Sequence, residues 1–119
     1  MKKPRISERR KVLSFTPVYD LGTNDLLGYL GDLTLQGALL VGEKPMEAGK
    51  NLTLGIEFRE ASEIPGNRLT IPAHVAWCRR EEHLTYFNTG LEFLEMTGSN
   101  KDLIEAVLER YRFNREIPY

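Results

Sequence analysis

Two arginines stand four residues apart near the start of the chain, in Arg5-Ile6-Ser7-Glu8-Arg9, and Arg10 follows directly. Guanidinium is planar, permanently charged and weakly hydrated. It grips a phosphate through two parallel hydrogen bonds, takes the O6/N7 edge of guanine in the same fork geometry, and stacks on bases. A second polar motif follows, Asp32-Leu33-Thr34-Leu35-Gln36-Gly37. In an extended strand Asp32 and Thr34 share a face. A carboxylate there can accept from guanine N–H groups, and a hydroxyl can donate or accept. Gly37 lets the backbone bend, or approach a ligand, without a Cβ in the way. Each motif also has a plain reading: the arginines as a solvated tail, and Asp32 and Thr34 as a strand end with Gly37 at a bulge.

A charge-assisted hydrogen bond contributes about 1.5–3 kcal/mol. Ordering each tail residue costs about 1–2 kcal/mol. A tail that must be fixed on binding therefore points to modest affinity, about micromolar or about −8 kcal/mol.

The charge is unevenly placed. Residues 1–11 hold six basic side chains against Glu8 alone, a balance of +5, which leaves −6 for the rest of a chain of net charge −1. The body would repel a long polyanion, so neither DNA nor RNA is the expected partner; a small anion held where tail meets body fits better. A length of 119 residues with 41% hydrophobic and 28% charged content suits one globular domain. The lone Cys78 excludes an internal disulfide framework, and no apolar run is long enough to insert in a membrane. A cytoplasmic protein of a bacterial cell is the expectation.

The positioning elements follow from periodicity. Residues 12–19 read as a first strand with Pro17 at an edge or bulge, and residues 26–34 as a second, joined by the turn chemistry of residues 20–25. Residues 37–41 make a third strand. Strict alternation of Leu52, Leu54, Ile56 and Phe58 marks a fourth, and Leu69, Ile71, Ala73, Val75 and Trp77 a fifth. Residues 79–83 read as a polar turn before a sixth strand over 86–94. The period then changes: Leu103, Ile104, Val107, Leu108 and Tyr111 form one helical stripe over about 99–113, with Ser99 or Asn100 as N-cap and Asp102 in the first turn. Six strands and a helix that covers an edge suggest an antiparallel barrel, with a sandwich as the alternative. By alternation Trp77 belongs with the core. His74 and Cys78 are separated by about 13 Å on a strand, too far for a catalytic dyad. One cysteine and two histidines make no zinc site without carboxylates. No enzymatic activity is expected. The aromatic and basic residues 110–119 suit either a frayed end or a contact surface for a second copy or an effector protein.

Taken together the motifs resemble those of the PilZ domain, which pairs Arg-x-x-x-Arg with a downstream Asp/Asn-x-Ser-x-x-Gly. Arg5 and Arg9 match the first; Asp32, Thr34 and Gly37 match the second, with Thr in place of Ser. The segments Gly37-Ala38-Leu39-Leu40-Val41, Ala73-His74-Val75-Ala76-Trp77 and Thr89-Gly90-Leu91-Glu92-Phe93 are also similar to the family. Residues 1–11, charged and poor in apolar side chains, read as a flexible basic tail. Over 12–119 the resemblance implies a mainly β, six-stranded antiparallel PilZ-type barrel with a C-terminal helix. It implies a receptor for cyclic di-GMP that needs no cofactor, with Arg5 and Arg9 on phosphates and bases, Arg10 as an auxiliary phosphate contact, Asp32 and Thr34 on base edges, and Gly37 permitting close approach. Ordering of the tail would relay the signal to an effector protein. The other course open to such a domain is a protein-interaction adaptor that binds no nucleotide.

Overall fold

Six strands close into an antiparallel barrel. The computed structural model describes residues 10–81 and 85–113. After β1 (Lys11–Leu13), the barrel strands are β2 (Pro17–Asp20), β3 (Asp25–Leu33), β4 (Gly37–Gly42), β5 (Asn51–Glu57), β6 (Arg68–Arg80) and β7 (Phe87–Phe93). Their order around the wall is β2-β3-β4-β7-β6-β5. Helix α1 (Gly98–Arg110) and a last strand, β8 (Tyr111–Phe113), complete the chain. Closure leaves no open edge among the barrel strands, and their inward residues fill the interior. The alternation expected of β5 and β6 is met: Leu54, Ile56, Leu69, Ile71, Ala73 and Val75 are each almost wholly buried.

The sequence-predicted first strand over 12–19 is in fact two. The chain breaks at residues 14–16, where Phe15 has φ 55°, a left-handed conformation rare for a bulky residue. Ser14 N–H donates to Glu60 Oε1 at 2.8 Å, and Leu30 N–H donates to the Thr16 carbonyl at 2.9 Å. The Phe15 ring meets Tyr29 edge-on, 5.9 Å between centroids. The turn ejects β1 from the barrel, so Lys11, expected in the basic tail, instead opens a strand. β1 pairs in parallel with β8, Lys11 opposite Tyr111. Pro17 then takes the first position of β2, where a missing N–H is tolerated.

The helix also departs from expectation. It ends at Arg110 rather than near 113, because Tyr111 is extended and joins the ladder with β1. Its N-cap is Thr97, not Ser99 or Asn100: the Thr97 hydroxyl accepts from Asn100 N–H at 3.1 Å. No acidic residue, Asp102 included, lies in the first turn. β6 runs on to Arg80 through part of the sequence-predicted polar turn. Of the expected apolar stripe, Leu103, Ile104 and Val107 are buried and merge with the barrel core, Leu108 is partly buried against it, and Tyr111 belongs to β8.

Tyr111 ties the helix end to the loop after β5. Its hydroxyl donates to Glu63 Oε2 at 2.6 Å, and Arg110 lies 3.7 Å from the same oxygen. The tyrosine hydrogen bond first, then the backbone hydrogen bond at Glu63 itself, with a smaller share from Arg110, holds the Glu63 carboxyl below the ordinary carboxylate range. The same bond holds the Tyr111 phenol above its ordinary value.

Two outcomes follow. Ile104→Ala, which empties a wholly buried site, lowers unfolding free energy by about 2–5 kcal/mol in urea titration; a loss under half that would mean the helix is not part of the core. For Glu63 the folded carboxyl is the depressed one, so its stabilising share is present above the unfolded carboxylate value and is lost as pH falls through the folded value. Tyr111→Phe removes the bond and flattens that acid limb of the stability profile; an unchanged limb would show that the bond does not act.

Candidate functional site

The outer wall of the barrel carries the site, and two inserted residues put it there. In the β3–β4 ladder Leu30 pairs with Leu40 and Asp32 with Leu39, so Gly31 is an extra residue on β3. In the β6–β7 ladder Val75 pairs with Leu91 and Trp77 with Gly90, so Ala76 is an extra residue on β6. Each bulge inverts the alternation beyond it. Leu30 faces inward at 2% exposure. Were Gly31 paired as an ordinary strand residue, Asp32 would follow Leu30 into the core, where an unpaired carboxylate is severely penalised. With the bulge, Asp32 turns out and Leu33 takes the interior at 3% exposure. Likewise Val75 is buried, and Ala76 turns Trp77 outward to 40% exposure. This corrects the reading of Trp77 as a core residue. The sequence signal that could have located it is Gly90, a small residue facing a large one across the ladder.

The pairing aligns Asp32, Leu39, Gly90 and Trp77 in one row across four strands. Three strand spacings separate its ends by about 14 Å along the wall. The row floors an open groove of about 420 Å³ that Thr34, Gly37 and Glu92 also line. A Cβ on Gly90 would fall 2.3 Å from Trp77 Nε1, so the indole lies directly over a strand with no side chain at that point. Arg79 sets its guanidinium carbon 5.0 Å from the indole centroid.

The polar motif is tied into the β3–β4 turn. Thr34 Oγ1 accepts from Gln36 N–H at 3.1 Å and Gly37 N–H at 3.2 Å, while Thr34 N–H donates to the Gly37 carbonyl at 2.9 Å. Thr34 therefore lies just past the strand, and its hydroxyl closes the turn; serine would do the same. Asp32 Oδ1 accepts from Leu33 N–H at 2.9 Å. Gly37 is required by strand packing, since a Cβ there would sit 2.1 Å from the Leu91 carbonyl oxygen.

Asp32 also lines a second cleft, of about 550 Å³, with Arg10, Leu108, Tyr111 and Arg112. Arg10 Nη1 donates to the Leu108 carbonyl at 2.9 Å, satisfying a carbonyl of the last helical turn. Arg10 Nε is buried with no protein partner. Of the sequence-predicted residues, Asp32, Thr34 and Gly37 thus share one groove, and Asp32 and Arg10 share the adjoining cleft. Arg5 and Arg9 lie outside the described residues. His74 and Cys78 are occupied separately: His74 Nδ1 is 2.6 Å from Asn51 Oδ1, and Cys78 Sγ accepts from Thr89 Oγ1 and Met46 N–H, both at 3.3 Å. Among the described residues no group of three or more His, Cys, Asp or Glu could hold a metal ion.

Comparison with known families gives a match to the PilZ domain over residues 4–110, a span that includes both motifs and the whole barrel. The chain belongs to the PilZ domain family. No curated protein and no solved structure matches it. PilZ domains are generally binding domains rather than catalysts, and the family is associated at the broad level with reception of cyclic di-GMP. No helix among the described residues is long and apolar enough to cross a membrane.

The two glycines of this PilZ domain should respond differently to a methyl group. Gly37→Ala meets backbone and should lower stability by about 1–3 kcal/mol. Gly90→Ala meets the far part of the indole instead, so it should shift the emission of the single tryptophan while leaving the unfolding midpoint closer to wild type. Equal destabilisation with unshifted emission would contradict the placement of Trp77.

Proposed function

We propose that the protein is a bacterial, cytoplasmic receptor for cyclic di-GMP, and that ligand binding draws the N-terminal arginine segment against the barrel wall. The observation that supports this most strongly is the position of Asp32. It borders the outer groove on one side and the Arg10 cleft on the other, and Arg9 is one peptide bond from Arg10. The first motif adjoins Arg10 in sequence, and Arg10 shares a cleft with the carboxylate of the second, so both motifs can reach one ligand. In this reading Arg5 and Arg9 bind phosphate and the O6/N7 edge of guanine, and Arg10 adds a phosphate contact. The Asp32 carboxylate accepts from guanine N–H groups. The Thr34 oxygen accepts two turn N–H groups, and its O–H, 3.4 Å from the Gly37 carbonyl, can turn to donate to the ligand. Gly37 keeps that end of the groove shallow, and Trp77 offers a stacking surface.

The ligand supplies contacts that exist only when the arginine segment is closed, so it shifts the population toward that state. Closure next to β1 and β8 builds a new surface for an effector protein. No redox, metal or covalent step is involved.

Trp77 is the single tryptophan and lines the groove, so its emission reports binding directly. Titration with cyclic di-GMP should give a saturable change with a dissociation constant of about micromolar, and GTP should give none. Asp32→Ala and Arg9→Ala should each weaken binding at least tenfold without changing the thermal midpoint. Wild-type affinity in both variants would overturn the site; no binding by the wild-type chain would overturn the receptor reading in favour of a nucleotide-independent adaptor.

A further inference from the structure

Arg79 has no place in either motif, yet it stands beside the stacking surface. Trp77 and Arg79 are two residues apart on β6 beyond the Ala76 bulge, so their side chains leave the same face of the wall. Both are exposed, and the guanidinium carbon is 5.0 Å from the indole centroid, within cation–π reach. The guanidinium thus lies over the indole, and a base that takes its place on the ring leaves Arg79 beside the edge of that base.

The chemistry of that edge is selective. Guanidinium has donors only. Guanine offers two acceptors, O6 and N7, spaced for its fork; adenine replaces O6 by the N6 amino donor and leaves one acceptor. Leu39 and Gly90, which complete the floor beside Trp77, carry no polar side-chain atom that could favour either base. Asn88, opposite Arg79 in the ladder, can turn either end of its amide to a base and does not choose between them.

We infer that Arg79 is a purine-selecting residue of the groove, which takes the O6/N7 edge of a guanine stacked on Trp77 and disfavours adenine. The inference rests on the cyclic di-GMP reading and adds to it the source of selectivity at the Trp77 end. Arg79 leaves its own contact with the indole when the base arrives, so the cation–π pair of the free protein is exchanged for two hydrogen bonds to the base edge.

Calorimetric titration of the full chain with cyclic di-GMP and cyclic di-AMP tests this. Wild type should prefer cyclic di-GMP. Arg79→Ala should weaken cyclic di-GMP binding by about tenfold or more, the worth of one bidentate base contact, and leave cyclic di-AMP affinity unchanged. Arg79→Lys keeps the charge but not the fork and should narrow the preference for cyclic di-GMP by a similar factor. Circular dichroism and the thermal midpoint, unchanged in both variants, separate this from misfolding. Three results would overturn the assignment. They are an unaltered preference in Arg79→Ala, an equal loss for both ligands, or full preference in Arg79→Lys. Failure of the wild-type chain to bind either ligand removes the receptor reading and the assignment with it, a result distinct from binding without an Arg79 effect.

Discussion

Gly31 in β3 and Ala76 in β6 decide which side of the barrel wall the chemistry faces. The barrel interior is mainly apolar and holds a polar side chain only where it finds a partner, as Thr89 does with Cys78 Sγ, and strand alternation is two-fold. A carboxylate and an indole that continue the inward register of Leu30 and Val75 would have to be buried. One extra residue in each strand reverses that register and restores apolar residues to the interior immediately afterwards, as Leu33 shows. The bulges flank the continuous β4–β7 ladder, so Asp32 and Trp77 emerge at the same height, with Leu39 and Gly90 between them. The groove is a consequence of keeping the core dry.

The floor of that groove depends on two absent side chains. At Gly37 a methyl group would strike the Leu91 carbonyl oxygen, and at Gly90 it would strike the indole. The first glycine lets β4 and β7 close on each other; the second lets Trp77 lie over β7. Thr34 belongs to the same local economy, because its hydroxyl satisfies two backbone N–H groups of the turn that Gly37 ends. Residues that read as ligand contacts thus also have structural duties, and a variant at Thr34 or Gly37 tests the turn as well as the site.

The other half of the arrangement lies at the helix end. Phe15, in its left-handed conformation, turns β1 away from the barrel and into a parallel pair with β8. This brings Arg10 to the Leu108 carbonyl and beside Asp32. The beginning of the chain is thereby joined to the end of the helix, and Tyr111, through Glu63, fixes that end to the barrel loop.

Much of this was legible in the residues themselves. Alternation in Leu52, Leu54, Ile56 and Phe58 and its change of period at Leu103 specify strands and a helix, because side-chain periodicity is a local property of the backbone. The spacing of Arg5, Arg9, Asp32, Thr34 and Gly37 carried the family, which the match over residues 4–110 shows. What local pattern cannot carry is a register between strands distant in sequence. Trp77 continues a run of buried residues and reads as core until its pairing with Gly90 exposes the bulge at Ala76. Tyr111 continues the helical stripe until its pairing with Lys11 makes it a strand. Local pattern specifies most of the strands, the helix and the polar motifs, and those motifs carry the resemblance that points to a barrel. Only the tertiary structure decided that Asp32 and Trp77 share one outward row and that Arg10 caps the helix, because both depend on hydrogen-bond registers set by packing the whole chain.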